Sequence, residues 1–467
     1  MAGWDTLDHL IREEIIQRGE EGCDVSGFAE RAARSGQDTT TLTQIYDDLM
    51  TLPIRPDFSY DEPDTLEAIR AARPAAPAPL TLHNDIVHLQ DQFQGAWFGR
   101  CAGCTLGKPL EYEPFMSGNT DAPGWQHIQR WFEGADAWPI HGYVPQHSRA
   151  EAQGIGLAAW GGPTTREHLT CMVSDDDIRY TVLGLLLMET QGLKWDSWDV
   201  GKLWHRYLTY QQVCTAETQA YLNFAQVTSH LHGEKPANWP ERQVWVRTYL
   251  NPYREWIGAQ IRVDGLAYAA AGNPELAAEL AYRDASLSHS KNGVYGAMFV
   301  AAMIAAAFAK VDERQLVEIG LSQIPANSRL SEAIRKAVTI AESASDAVEL
   351  VSRIWDSFQQ YNAVHTINNA ALVAAALVFS KGDFETAITT AVLGGWDTDC
   401  NGATVGSIMG AKLGAARLPE QWLKPLNDTL YAEVNGFHPI SITECAYRSY
   451  VTFQRTQKTL ISGAEQG

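Results

Sequence analysis

GGWDTDCNGATVGSIMGAKLG, residues 394–414, joins two glycines to a pair of acids and then to an apolar segment of helical spacing. Its opening Asp-x-Asp-x-Asn-Gly also begins an EF-hand loop, but such a loop needs a bidentate glutamate at its twelfth position, where Ile408 stands. Helix capping accounts for one acid before a helix and leaves the second unexplained. Asp397 and Asp399 are therefore a candidate metal-binding pair at the start of a helix.

A second acidic cluster stands much earlier in the chain. It consists of Ser174, Asp175, Asp176 and Asp177, and an apolar helical pattern begins directly after it. Three consecutive acids repel one another, which makes them an unfavourable cap for a single helix. Clustered carboxylates favour an oxygen-preferring cation that neutralises them. If the fold brings the two clusters together, they form a cradle for one or two Mg²⁺ or Mn²⁺ ions.

A stripe of glycines at every fourth position leads to Glu111. The glycines of this stripe are Gly99, Gly103 and Gly107. On a helix they share one face, which predicts close packing against a neighbouring helix. The same segment resembles a phosphate-binding loop, but Ala102 stands at the first glycine position and Pro109 replaces the residue that would hold Mg²⁺. We therefore interpret the stripe as a packing surface.

The composition is that of an ordinary globular protein, with 45% of the 467 residues hydrophobic and 20% charged. The formal net charge of −20 argues against nonspecific binding to nucleic acid or anionic lipid. Residues 1–20 lack the apolar core of a signal peptide. The longest apolar run, residues 296–309, is shorter than the ~20 residues that span a bilayer. We therefore expect a cytoplasmic protein with no membrane partner.

The cysteines and histidines give no strong motif of their own. Seven cysteines in a chain of this length predict reduced thiols rather than a disulfide framework. Cys101 and Cys104 form a lone Cys-x-x-Cys, which without a second ligand pair is better explained by burial than by zinc. His289 and His365 stand at helical boundaries, where the structural interpretation is favoured. A Gly-x-Ser-x-Gly elbow is missing from the sequence, so a serine hydrolase has no support.

Periodic apolar segments rich in Ala and Leu dominate the chain, and alternating strand patterns are scarce. The fold class is therefore predicted to be all-α. The helical segments include residues 86–106, 178–190, 203–213, 366–379 and 384–393. Proline and alanine in residues 71–80 predict a linker. The predicted units are a helical N-terminal extension (1–70), the linker (71–80), a body (85–450) and a C-terminal tail (451–467).

Residues 113–170 differ from the rest of the body because they have little periodicity and many aromatic side chains. The tryptophans are Trp125, Trp131, Trp138 and Trp160. Long ordered insertions are often functional, and a tryptophan face can stack on a base or a sugar. The alternative is a surface excursion that its own tryptophans hold in place. Both interpretations stay open at this point.

Together these motifs resemble the ADP-ribosylglycohydrolase family over about residues 90–450. The residues that carry the resemblance are the glycine stripe ending at Glu111, Ser174-Asp175-Asp176, Ser288-His289 and residues 394–401. The resemblance implies an all-α orthogonal helical bundle around a central binuclear Mg²⁺ or Mn²⁺ site. Residues 1–80 lie outside it.

The resemblance also implies roles for individual residues. The implied metal ligands are Ser174, Asp175, Asp176, Asp397 and Asp399. The implied proton-transfer residues are Glu111 and Asp399, and the implied substrate contacts are His289, Gln260, Lys108 and Trp396. Two positions depart from the family pattern: Cys400 stands where the family has Thr or Ser, and Asp177 replaces a Thr. Thiolate is a poor ligand for Mg²⁺, so the second ion is expected to be held differently, with Asp177 and Cys400 as further candidate ligands.

The activity that the resemblance implies is metal-dependent hydrolysis of the ribosyl C1 bond by a water that the metal orients. The expected partner is an ADP-ribosylated protein or a small ADP-ribosyl or ribosyl compound. Two alternatives remain open from the sequence: hydrolysis of a nucleoside or another ribosyl N-glycoside, and ADP-ribose binding without catalysis.

Overall fold

The computed structural model describes residues 5–75, 80–82, 85–229 and 233–464. Within these residues the chain forms α-helices and short 3₁₀ helices, and extended segments meet only in isolated bridges. The predicted all-α fold class is confirmed. In the described part of the chain no helix is both long and apolar enough to cross a membrane.

The helices of the first half are α1 (Leu7–Glu20), α2 (Phe28–Ser35), α3 (Thr39–Met50), α4 (Leu66–Ala72), α5 (Ile86–Gly107), α6 (Gly124–Gly134), α7 (Asp176–Gln191), α8 (Ser197–Tyr207), α9 (Thr215–Thr228) and α10 (Trp239–Thr248). Those of the second half are α11 (Asp264–Ala269), α12 (Pro274–Ala285), α13 (Lys291–Ala307), α14 (Glu313–Leu321), α15 (Arg329–Ser343), α16 (Ala347–Phe358), α17 (Thr366–Ser380), α18 (Phe384–Leu393), α19 (Thr398–Leu413), α20 (Glu420–Leu423) and α21 (Ile442–Ala464). The 3₁₀ helices are Lys108–Leu110, Arg149–Gln153, Ala159–Thr164, Tyr210–Gln212, Ile257–Arg262, Ala415–Arg417 and Lys424–Leu426.

Helices α5 and α19 pack backbone against backbone in the centre of the molecule. The two helices run antiparallel, and their glycines face each other in the pairs Gly95/Gly410, Gly99/Gly406 and Gly103/Gly402. A Cβ atom added to either member of a pair would overlap the carbonyl group of the other. The predicted glycine stripe is thus half of a packing surface that leaves no room for side chains.

The same register fixes the two helix ends that matter for the site. Gly107, at the end of α5, lies against the backbone of Thr398 and Asp399 at the start of α19. The Thr398 hydroxyl donates a hydrogen bond to the Gly107 carbonyl (2.9 Å). The segment that continues to Glu111 therefore begins beside the acids of α19.

Helices α13 and α17 pack against α19 and are buried on nearly every face. Their sequences are rich in alanine and lack a polar stripe, which is typical of helices in the core of a large domain. On another side of α5, α21 packs against it, and Trp97 Nε1 donates to Ser449 Oγ (2.9 Å).

The N-terminal helices α1, α2 and α3 form a small core of their own, which also includes Ala216, Leu250 and Tyr253. Buried ion pairs join this unit to the body. Both Arg254 Nη atoms donate to the Glu14 carboxylate (2.8 and 2.9 Å), and Nε donates to Glu21 (3.0 Å). Arg254 and Glu14 are 2% and 1% exposed, so Glu14 would be an uncompensated buried charge without Arg254, and Arg254 would lose one of its two acidic partners without Glu14.

A second set of charges joins the segment before α4 to the body. Arg329 Nη2 donates to Glu62 (2.8 Å) and to both oxygens of Glu255 (2.8 Å each). Gln17 of α1 donates to the same Glu255 (2.8 Å). Residues from the predicted extension therefore neutralise and hydrogen-bond charges in the interior of the body.

Two predicted boundaries differ from the structure. Helix α4 continues through Ala72, so the first residues of the predicted linker are helical, and residues 76–79 of that linker lie outside the described residues. The predicted tail from residue 451 is the second half of α21. The buried face of that helix continues from Tyr450 to Phe453, and helix-breaking residues are missing before Gly463.

The glycine packing of α5 and α19 can be tested with Gly103→Ala. The new methyl group must push the helices apart, and we expect a loss of about 1–3 kcal/mol in the free energy of unfolding, measured by urea titration. Gly156→Ala is the matched control, because a Cβ atom there meets nothing within 4 Å. Equal unfolding midpoints for the two variants would contradict the packing described above.

Candidate metal centre

Three chain segments bring carboxylates to the point where α5 ends and α19 begins. Asp397 is the N-cap residue of α19, and Asp399 lies in its first turn. Asp175 is the N-cap residue of α7, where its side chain accepts from the Asp177 amide (3.0 Å). Glu111 follows the 3₁₀ helix that extends α5.

The ligand atoms form two groups that share one residue. In the first group, single atoms of Cys104, Asp175, Asp177 and Asp399 lie within 4.8 Å of one another. In the second group, atoms of Asp397, Asp399 and Cys400 meet the same limit. The sequence-predicted clusters at 174–177 and 397–400 therefore converge, and Asp399 belongs to both groups.

Several oxygens in this centre lack a hydrogen-bond partner among the described residues. They are Asp177 Oδ2, Asp397 Oδ1 and Asp399 Oδ1. All three side chains are buried, and a buried carboxylate oxygen without a partner is strongly unfavourable. A cation between the carboxylates would remove this penalty. The donor set therefore fits a metal ion.

The protonation of the carboxylates reflects their crowding. Burial, followed by the charges of Glu111 and Asp175, raises the pKa of Asp399 well above its ordinary value. Burial and the charge of Asp397 do the same to the pKa of Glu111. Burial and Asp175 raise the pKa of Asp176 to about 6. These groups hold protons unusually tightly until a positive charge compensates them.

Two basic side chains already compensate part of the first group. Lys108 Nζ donates to Asp175 Oδ2, and this ammonium outweighs the effect of burial and leaves the pKa of Asp175 below its ordinary value. Arg100 is fully buried, and its Nη2 donates to Asp177 Oδ1 (3.0 Å) while its Nη1 lies 2.9 Å from Asp264. The sequence suggested Lys108 for substrate contact, and it gave no role to Arg100.

The donor chemistry favours a hard cation. The two thiols, Cys104 and Cys400, are buried among carboxylates, and burial with those charges raises the pKa of each well above its ordinary value. They remain protonated and are weak ligands, so the carboxylate oxygens dominate the centre. Oxygen donors suit Mg²⁺ and Mn²⁺ better than zinc or copper.

The turn before α19 is held in a left-handed conformation at two consecutive residues, Gly395 (φ 75°) and Trp396 (φ 59°). Such a φ is strained for tryptophan, and packing offsets the strain. The Trp396 ring is 2% exposed and stacks on Trp355 with 5.2 Å between ring centroids and 15° between planes. Its face is covered by protein, whereas the family resemblance implies a substrate contact at this position.

Asn369 of α17 supports the same turn and was missed in the sequence. Its Oδ1 accepts from the Asp397 amide (3.3 Å) and from Asn401 Nδ2 (2.7 Å). Its Nδ2 donates to the carbonyls of Ala363 and His365 (2.8 Å each). The available signal was a pair of asparagines inside an otherwise apolar helix.

Ser174 lies at the edge of the centre. Its hydroxyl accepts a hydrogen bond from Arg179 Nη2 (2.9 Å), and Arg179 also pairs with Glu433 (3.0 Å). Ser174, Asp176 and Glu111 are half-buried, whereas Asp175, Asp177, Asp397 and Asp399 are buried. This side is therefore the open one.

His289 belongs to a separate buried network. Arg262 Nη2 donates to Ser288 Oγ (2.8 Å), and the same hydroxyl forms a hydrogen bond with His289 Nδ1 (2.8 Å). Burial and Arg262 lower the pKa of His289 well below its ordinary value, which keeps the ring neutral. Glu217 lies 3.9 Å from Nε2, and burial raises its pKa to about 7.

Gln260 is completely buried, and neither its Nε2 nor its Oε1 has a hydrogen-bond partner among the described residues. It lies in the 3₁₀ helix Ile257–Arg262, next to Gly296 of α13. Burial has removed water from both polar atoms of this amide, and no protein group replaces it among the described residues. Such an amide indicates either a site for a bound group or local strain.

Two exposed aromatic rings border the open side. Trp160 is 51% and Tyr112 48% exposed, and their rings are edge to face with centroids 5.7 Å apart. Tyr112 directly follows Glu111. The 3₁₀ helix that carries Trp160 packs on Pro109, since the Ala158 amide donates to the Pro109 carbonyl (3.0 Å). Trp125 and Trp131 of the same insertion are buried.

The profile of the ADP-ribosylglycohydrolase family matches residues 86–447. Among solved structures, an ADP-ribosylglycohydrolase-related protein complex matches with 18% sequence identity and a TM-score of 0.45, covering 79% of this chain and 100% of that chain. No curated protein shows significant sequence similarity. The family profile covers most of the chain, including every acid of the centre. The chain therefore belongs to the ADP-ribosylglycohydrolase family and is a hydrolase of the glycosidase class.

Proposed function

We propose that the protein is a divalent-cation-dependent glycohydrolase that cleaves the bond at ribose C1 of an ADP-ribosylated substrate. The observation that carries this proposal is the convergence of buried carboxylates on Asp399, with unpartnered oxygens on Asp177, Asp397 and Asp399. Family membership supports the glycosidic bond as the target. The preferred cation is Mg²⁺ or Mn²⁺, because the protein's donor atoms are oxygens.

Asp397 and Asp399 would hold the cation, with Asp175, Asp176 and Asp177 around it and Ser174 and Cys400 at the edge. When bound, the cation would supply Lewis acidity for a water molecule and orientation for the ribose hydroxyls. The negative charge of the remaining carboxylates favours the oxocarbenium-like transition state of glycoside cleavage.

We assign the proton transfer to Glu111 rather than to Asp399. Asp399 contributes an atom to both ligand groups, whereas Glu111 belongs to neither. Glu111 is also half-buried on the open side, where a substrate and a water molecule can reach it. A carboxylate in this position can take a proton from the attacking water.

We assign adenine binding to the exposed pair Tyr112 and Trp160. The pair borders Glu111, and the faces of exposed aromatic side chains stack on bases. The substrate class is an ADP-ribosylated protein or a small ADP-ribosyl compound. Of the residues suggested from the sequence, Gln260 keeps two free polar atoms for such a ligand, whereas His289 is buried in the network of Arg262 and Ser288.

The metal-dependent function can be tested with Asp399→Asn. We expect the release of free ADP-ribose or ribosyl product to fall by about 100-fold or more, and Mn²⁺ affinity to fall with it, because losing a direct metal ligand costs at least as much as the roughly 10- to 100-fold of losing a residue that orients one. Asp383→Asn is the matched control, because Asp383 is an exposed N-cap residue of α18. The assay uses ADP-ribosylated protein, small ADP-ribosyl compounds and nucleosides, each with Mg²⁺, Mn²⁺ or chelator.

Each alternative gives a different result in that assay. Turnover confined to nucleosides would replace the proposal by a ribosyl N-glycoside hydrolase. Tight ADP-ribose binding without metal-dependent turnover would indicate a non-catalytic binder. Full activity of Asp399→Asn would refute the role of the acidic centre.

The aromatic pair can be tested with Trp160→Ala. Because stacking on one aromatic ring contributes about 1–3 kcal/mol, we expect KM for an ADP-ribosyl substrate to rise by about tenfold with kcat little changed. Trp138→Ala is the control, since Trp138 is a half-buried tryptophan of the same insertion. An unchanged KM for Trp160→Ala would place adenine elsewhere.

The supporting role of Asn369 can be tested with Asn369→Ala. The loss of its contact with the Asp397 amide should weaken Mn²⁺ binding by about 10- to 100-fold, as for other residues that orient metal ligands. Isothermal titration calorimetry measures the affinity, and thermal unfolding checks the fold. Asn368→Ala is the control, because its buried amide donates to the Asn362 carbonyl instead. Equal affinities of the two variants would argue against the role.

A further inference from the structure

We propose that this centre binds one divalent cation per chain, because the ammonium group of Lys108 supplies the positive charge that a second ion would supply. The inference rests on the proposed function, since it concerns the same site. It departs from the binuclear centre that the sequence resemblance implies.

Lys108 is held in the centre by its backbone as well as by its charge. It follows Gly107, whose backbone lies against Thr398 and Asp399, and it precedes Pro109. The side chain is 10% exposed, and its ammonium donates to Asp175 Oδ2. Because the Lys108 backbone lies so close to the acids, the ammonium group of its side chain stays near their carboxylates.

The protein therefore supplies basic partners for two of the acids in the first ligand group. Of its four members, Cys104 is a thiol, Asp175 pairs with Lys108, and Asp177 pairs with the fully buried Arg100 (3.0 Å), which also pairs with Asp264 (2.9 Å). Asp399 is the one acid of this group that forms no ion pair with a lysine or arginine in the described part of the chain. A divalent cation placed here would meet the Lys108 ammonium at short range.

The second ligand group has the opposite character. Neither Asp397 nor Asp399 forms an ion pair with a basic side chain within residues 5–75, 80–82, 85–229 and 233–464. Each keeps one buried oxygen, Oδ1, without a hydrogen bond. The Cys400 thiol completes the group. A single cation bound by Asp397 and Asp399 satisfies these oxygens, and Lys108 balances the carboxylates on the other side.

The test is the number of Mn²⁺ ions bound per chain. Equilibrium dialysis with elemental analysis counts the ions, and electron paramagnetic resonance detects the magnetic coupling that two neighbouring Mn²⁺ ions produce. We expect one uncoupled ion in the wild-type protein and in Lys108→Arg, which keeps the charge. Lys108→Met should bind two coupled ions, and Lys108→Gln provides a second neutral variant if Met is poorly tolerated.

Lys202→Met is the control for loss of a lysine, because Lys202 is exposed on α8, and it should bind one ion. Two ions in the wild-type protein would overturn the inference and leave the proposed function intact. One ion in both neutral variants would overturn the role of Lys108. No Mn²⁺ binding by the wild-type protein would overturn the metal-dependent function together with this inference.

Discussion

The distance between α5 and α19 determines the geometry of the whole centre. Because glycine faces glycine along both helices, their backbones touch, and no side chain can be exchanged to adjust the spacing. Cys104 and Lys108 from one helix and its continuation thereby come close to Asp399 from the other. A metal centre built on rigid backbone contact holds its ligands more accurately than one built on loops. The buried helices α13 and α17, which pack against α19, add to this rigidity.

The second constraint is the mutual repulsion of the buried carboxylates, which destabilises the folded state at the centre. Several carboxylates are gathered in the interior, where each raises the pKa of its neighbours. The fold offsets this repulsion locally: Asp175 and Asp397 stand at helix starts, Lys108 pairs with Asp175, and Arg100 pairs with Asp177 and Asp264. Among the described residues, no lysine or arginine forms an ion pair with Asp176, Glu111, Asp397 or Asp399, and of these four Asp397 and Asp399 are the buried ones. Under the proposed function, this negative charge would favour a cation and the transition state.

Much of this could be predicted from the sequence where local pattern determines structure. The predicted helix 384–393 coincides with α18, and 366–379 is one residue short of α17, because alanine-rich apolar segments have few alternatives. The segment 203–213 was placed too late: Asp196 and Asp199 form a capping box that starts α8 at Ser197, and Leu208 is already extended. The predicted convergence of the two acidic clusters is seen in the structure, and the metal role of their residues stays a prediction. The partners of Lys108, Arg100 and Asn369 could not be predicted, because long-range pairing leaves no mark on spacing. The burial of the Trp396 ring could likewise not be predicted, because it depends on stacking against the distant Trp355.

The ion pairs of the N-terminal helices have a consequence for how this chain relates to the rest of its family. The family profile begins at residue 86, yet Arg254 and Arg329, which lie inside the profile, depend on Glu14, Glu21 and Glu62 outside it. A fragment cut at the profile boundary would leave both arginines buried without those counter-charges. In relatives without such an extension, we expect these two positions to carry neutral or differently paired residues. The extension and the residues at 254 and 329 should therefore be gained and lost together.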